Sequence, residues 1–178
     1  MIEKHDTPGI ATRIAVAAML AGLLCVNGCV GYRLGSSLPP GLKSVFVPVF
    51  VNDTGEPGLE ALATSAAIAE IQKDGSLKIA PKETADTVLE VHLRRYTLDP
   101  LRFQKDQVNT AREYRLTLVA DVVLRKTATG ETLVNARGIA GYSDFPALTD
   151  LPSARRTALP ATATDLAHRI VRSIVEYW

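Results

Sequence analysis

The alternation from Glu113 to Lys126 constrains this chain most. Tyr114, Leu116, Leu118, Ala120, Val122 and Leu124 take every second position, with Arg115, Thr117, Val119, Asp121 and Val123 between them. Side chains along a strand point to opposite faces in turn, so the pattern demands a long strand with one face in a core. Such a strand needs neighbours. Thr87 to Leu98 supplies one, with Leu89, Val91 and Leu93 pointing one way and Glu90, His92, Arg94 and Tyr96 the other. Thr132 to Tyr142 lies across the turn Thr127-Ala128-Thr129-Gly130-Glu131 and reads as a hairpin partner.

Upstream, Val45-Phe46-Val47-Pro48-Val49-Phe50-Val51 is a β-branched and aromatic run. It reads as a strand in which Pro48 marks an edge or a bulge. After the turn Asn52–Gly58, Leu59, Leu62, Ala66 and Ala69 recur at helical spacing, flanked by Ile68 and Ile71, and Gly75 is the expected C-cap. Leu77 to Ala80 is a short strand, so a β-α-β unit opens the domain. A second helix closes it, with Leu159, Ala163, Leu166, Ile170 and Ile174 as its apolar stripe. Pro160 sits in its first turn or inside a longer helix that starts near Ser153. The expected fold is an α+β two-layer sandwich, two helices on one face of a mostly antiparallel sheet of four to five strands.

The first residues do not belong to that fold. Lys4 and Arg13 precede an uncharged run, Ile14 to Val26, rich in Ala and Leu. The run is short of the roughly 20 apolar residues that a bilayer span needs, and it fits the core of a secretory signal peptide. It ends in Val26-Asn27-Gly28-Cys29, the pattern of a bacterial lipobox. Residues 1–28 are then a cleaved signal peptide, Cys29 carries the covalent lipid, 29–43 are a Gly/Pro-rich tether, and 44–178 are a single domain. Cys25 leaves with the leader, so the mature chain has no free thiol and no disulfide. The leader removes two charges of each sign from the 20 basic and 19 acidic residues. A chain so balanced lacks the basic excess of a nucleic-acid binder.

Catalytic and metal patterns are missing. There is no Gly-x-Ser-x-Gly elbow, phosphate loop or His-Glu-x-x-His motif. His92 stands beside Arg94 on a strand, and His168 stands three residues after Asp165 on the last helix, a spacing for a surface contact rather than a dyad. No cofactor is expected. The local charge feature is the stretch 94–115, where Arg94, Arg95, Arg102, Lys105, Arg112 and Arg115 face Asp99, Asp106 and Glu113. If the flanking strands pair over an Asp99–Thr110 loop, these cations form a basic end suited to phosphate or carboxylate groups. The same charges also suit a solvated hairpin tip.

A lipobox Cys followed by Gly31-Tyr32-Arg33-Leu34 is one part of a wider pattern. A strand end follows at Val47 to Asn52, and a C-terminal segment contains Ala158-Leu159-Pro160, Asp165-Leu166-Ala167, Ile170-Val171 and Val175-Glu176-x-Trp178. In combination these resemble the LptE family, the lipopolysaccharide-assembly lipoproteins of the Gram-negative outer membrane. The resemblance spans nearly the whole mature chain. It implies a non-enzymatic lipoprotein, anchored in the outer membrane on the periplasmic side. Such a protein plugs the LptD-type β-barrel, supports its assembly and binds lipopolysaccharide. By location and charge, Arg94, Arg115, Arg102 and Lys105 are the lipopolysaccharide-binding candidates. Val30 after the lipidated Cys, in place of Asp, favours the outer membrane. The strand-to-turn segment Phe50-Val51-Asn52-Asp53-Thr54-Gly55 also looks like lipoproteins that regulate cell-wall synthases or secretion pores, which is the alternative role.

Overall fold

A computed structural model describes residues 41–104, 107–146 and 150–176. The leader, Cys29 and most of the tether lie outside these residues.

The elements run β1 (Ser44–Phe46), β2 (Val51–Asn52), α1 (Leu59–Asp74), β3 (Lys78–Ile79), β4 (Thr87–Gln104), β5 (Gln107–Lys126), β6 (Thr132–Pro146) and α2 (Leu151–Val175). The sheet order is β3-β1-β4-β5-β6, and β2 joins β4 beyond β1. β4, β5 and β6 are antiparallel. β1 runs parallel to β3 and β4, and β2 runs parallel to β4. The sheet is therefore mixed and six-stranded, not the four to five strands expected. Pro48 is the reason for the extra strand. The apolar run 45–51 is one path along β4, broken where proline offers no N–H to the ladder.

β1 is fastened to the start of β4 by one carboxylate. Asp86 Oδ2 accepts from the backbone N–H groups of Lys43 (2.9 Å) and Ser44 (3.0 Å) and from Ser44 Oγ (2.7 Å). These donors, the Ser44 hydroxyl first, hold the Asp86 carboxyl below its ordinary range. Lys43 thus leads into β1 at the end of the sheet opposite the β4–β5 hairpin tip.

The core lies under the inward positions of β4 and β5. Leu89, Leu93, Leu118, Ala120, Val122 and Leu124 are all fully buried there. Both helices share that one cluster, α1 through Leu59, Ala63, Ala67 and Ile71, and α2 through Leu166, Ala167, Ile170 and Ile174. The α1 face differs from the expected stripe. Ala69 is exposed and Leu62 only half-buried, while the buried line advances by four residues from Leu59 to Ile71. Alanine is too small to fix the phase of a helix, so the two large residues at its ends decide it. Gly75 caps α1 at φ +75°, with its N–H donating to Ile71 O at 3.0 Å.

α2 is continuous from Leu151, with Pro160 inside it, so the longer of the two readings holds. Asp150 caps its start, accepting from Ser153 N–H at 3.4 Å. The helix sits hard against β6. A Cβ on Gly141 would collide with the backbone of Leu166, so only glycine fits. A smaller cluster of Leu116, Phe145 and Ala158, with Leu98, Leu151 and Leu159 around it, fills the hairpin side.

Candidate functional site

Arg94, Arg102 and Arg115 lie on the outer face of the sheet, away from the helices. β4 and β5 pair regularly up to Leu93↔Ala120 and resume at Arg95↔Val119, which leaves Arg94 as an extra residue in a bulge. The bulge inverts the parity above it. Tyr96, expected on the polar side, turns inward and packs against both core clusters. β6 slips in the same zone, between Ile139↔Ala120 and Ala136↔Val122. Gly138 takes φ +70° there, a conformation that favours glycine.

Asp121 joins the two irregularities. Its Oδ1 accepts from Gly138 N–H (3.0 Å) and its Oδ2 from Arg94 Nε (2.8 Å). Arg94 Nη1 donates in turn to Asp53 Oδ2 at 2.7 Å, which ties the end of β2 to the centre of the sheet. The Gly138 N–H and the Arg94 guanidinium hold the Asp121 carboxyl below its ordinary range. His92 Nδ1 lies 3.5 Å from Asp53 Oδ2 at the rim of this network.

Arg115 belongs to a second constellation. Its Nε and Nη2 meet Asp144 Oδ1 and Oδ2, both at 2.7 Å, a bidentate pair across β5 and β6. Its guanidinium lies 4.4 Å from the Tyr142 ring centre, and Arg169 of α2 lies 5.0 Å from the same ring. Arg169 Nε donates to Asp165 Oδ2 at 2.8 Å. Arg102 pairs with Glu113 at 3.1 Å and is 80% exposed. Lys105 lies outside the described residues.

The structure therefore separates Arg94 from Arg102 and Arg115, which lie nearer the hairpin end. Strand rise places Arg115 and Asp121 about 20 Å apart along β5. Both strands also continue through the expected Asp99–Thr110 loop, so the hairpin is longer and its connection shorter. The acidic partners Asp53, Asp121 and Asp144 were not singled out in the sequence. The one signal for Asp121 is its polar position within an alternating strand, and register alone reveals what it faces.

The histidines part company with the carboxylate nearest in sequence. His168 Nδ1 lies 3.0 Å from Glu70 Oε1 on α1, while Asp165 caps the Tyr142 N–H at 2.9 Å. His168 chiefly, with Lys73, keeps the Glu70 carboxyl below its ordinary range despite burial. A cavity of about 370 Å³ lies beside this contact, lined by Glu70, Lys73, His168 and Arg172 among others. No group of three metal-type side chains occurs among the described residues.

This fold is shared with bacterial lipoproteins. The solution structure of uncharacterized lipoprotein B from Nitrosomonas europaea aligns with TM-score 0.55 and 16% identity, over 83% of this chain and 92% of that one. A minor lipoprotein from Acinetobacter baumannii aligns with TM-score 0.51 and 12% identity, over 76% and 94%. At such identities the likeness concerns the fold alone. No curated protein matches the sequence. The lipopolysaccharide-assembly family LptE matches residues 42–174, and the chain belongs to that family.

Proposed function

We propose that this protein is the lipid-anchored LptE-type subunit of an outer-membrane lipopolysaccharide translocon. It is non-enzymatic, seats inside and supports assembly of an LptD-type β-barrel, and binds lipopolysaccharide. The family match over residues 42–174 carries the reading. In it, residues 1–28 are the cleaved signal peptide and Cys29 holds the lipid at the periplasmic face of the outer membrane. Residues 29–43 are then the tether and 44–178 the domain. The physical design of that domain agrees with a plug. Two helices back one face of the sheet, and the other face is cross-braced by Arg94–Asp121, Arg115–Asp144 and Arg125–Glu90 pairs.

Lipopolysaccharide phosphates compete with these carboxylates for guanidinium groups. Arg102 is the most available, being largely exposed with a single partner. Arg115 joins it toward the hairpin end, and Lys105, outside the described residues, is a further candidate by charge. Arg94 is shared by two aspartates and contributes least.

Purification of the tagged full-length protein from native membranes in mild detergent tests the role. A near-stoichiometric large outer-membrane barrel is expected. A cell-wall synthase or secretion pore in its place overturns the translocon reading. In a direct lipopolysaccharide titration, Arg102→Glu with Lys105→Glu is expected to weaken binding more than Arg94→Glu. The reverse order removes the site assignment and leaves the barrel role standing.

A further inference from the structure

Strand edges carry backbone groups that pair with any extended chain, so each edge is covered, blunted or used. On β6, the outward N–H of Tyr142 is taken by Asp165 Oδ2 from α2. At the other side of the sheet, the Phe50 N–H is taken by Thr64 Oγ1 from α1 at 3.0 Å. Each helix thus places an acceptor on an edge donor.

Among the described residues, the upper half of β4 has no such cover. β2 pairs with β4 only as far as Leu93, and Asp53 N–H donates to Leu93 O at 2.9 Å. β4 runs on to Gln104. Beyond Leu93 this flank meets no strand among the described residues. Its hydrogen-bonding phase follows from the alternation of antiparallel ladders. Tyr142 faces out of β6, so Gly141 and Leu118 bond each other, and Thr117 and Val119 bond toward β4. Their partners Thr97 and Arg95 spend their backbone groups on β5, which turns those of Tyr96 and Leu98 outward. Pro100 has no N–H and ends the row of donors.

We propose that this flank, Arg95 to Asp99, accepts an extended segment of a partner protein by strand addition. Charge sets the chemistry of that segment. An antiparallel strand carries an acidic residue opposite Arg95 and a basic residue opposite Asp99. Tyr96 and Leu98 are half-buried at the margin of the small cluster with Leu116, Leu151 and Leu159, so the residues opposite them are apolar and extend it. A second copy of this chain does not fit. Pairing two such flanks would drive the second hairpin, which continues to Gln104, into the place of β2 and Asp53. A segment of roughly five residues, about 16 Å long, fits in the gap.

The probe is the capped pentapeptide Lys-Val-Thr-Val-Glu added at millimolar concentration to the purified full-length protein. Hydrogen exchange at the Tyr96 and Leu98 amides is expected to slow about tenfold, while Phe50 and Tyr142 hold their rates. The same peptide N-methylated at both valines keeps its side chains and loses its edge donors, and it is expected to give no protection. Exchanging the two terminal charges is expected to weaken the effect about threefold or more. No protection by the parent peptide, or equal protection by the methylated one, overturns the proposal. Slowing of the same amides with protein concentration alone would assign the flank to a second copy and overturn it equally.

Discussion

Below the bulge at Arg94, the β4–β5 pair lies over the main core that both helices share; above it, the same two strands lie over a smaller apolar cluster. The lower half has strands on both flanks and two helices beneath it, and Leu89, Leu93, Val122 and Leu124 are fully buried. The upper half has β6 on one flank and, among the described residues, no strand on the other. Its apolar support is the small cluster around Leu116 and Phe145. Arg115–Asp144 and Arg102–Glu113 span its outer face. One hairpin thus carries a fixed base and a more adaptable end. Basic side chains at that end can exchange partners without exposing the main core. Surface ion pairs add little stability each, so the division also separates what folds the domain from what it offers to ligands.

The largest expected effect comes from the seat of α2 on β6. Gly141→Ala introduces a Cβ that collides with Leu166 N, Cα and Cβ, all fixed by the helix. A loss of about 3 kcal/mol is expected, at the upper end of overpacking costs. Urea denaturation measures it, and a near-neutral result would mean that α2 slides freely on the sheet.

Truncation in the two halves comes next. Leu124→Ala, in the base, is expected to cost about 3 kcal/mol, as for a buried leucine that leaves a cavity. Leu98→Ala, half-buried above the bulge, is expected to cost about 1 kcal/mol. Equal costs would erase the distinction between the halves.

Acid is a milder probe. Folding lowers the carboxyl pKa of Asp86, Asp121 and Asp144 below the ordinary 3.8. As pH falls, the unfolded chain takes up these protons first. The stabilisation is complete above the ordinary value and drains away as pH drops through the lower folded values. Asp121→Asn is expected to flatten this limb of the stability profile, as read by thermal melts between neutral pH and pH 3. An unchanged slope would show that the Arg94–Asp121–Gly138 network does not feel the folded state.

The smallest effect is expected at Tyr96. Its buried hydroxyl meets no hydrogen-bond geometry among the described residues, and burial raises its pKa against the opposing pull of the nearby Arg155 guanidinium. Tyr96→Phe removes an unpaired polar atom and keeps the ring, so stability should move by less than about 0.5 kcal/mol or rise slightly. A loss above about 1 kcal/mol would reveal a bond to Arg155, whose guanidinium lies 5.9 Å from the ring centre.

The sequence by itself determined the long central strand, the cap at Gly75, the stripe of the last helix and the family. Each is local: alternation, helical spacing and glycine's conformational freedom act within a few residues. Tertiary structure alone decided the facing of Tyr96, the division of 45–51 into two strands along β4, and the partners of Arg94 and Arg115. Those depend on register. The bulge at Arg94 is stabilised by Asp53, just past β2, and Asp121 of β5, and one extra residue there reverses the side chains from Tyr96 up to the next register shift at Pro100. Charge in the stretch 94–115 is counted along the chain, whereas Arg94, Arg102 and Arg115 meet Asp121, Glu113 and Asp144 only through the pairing of strands.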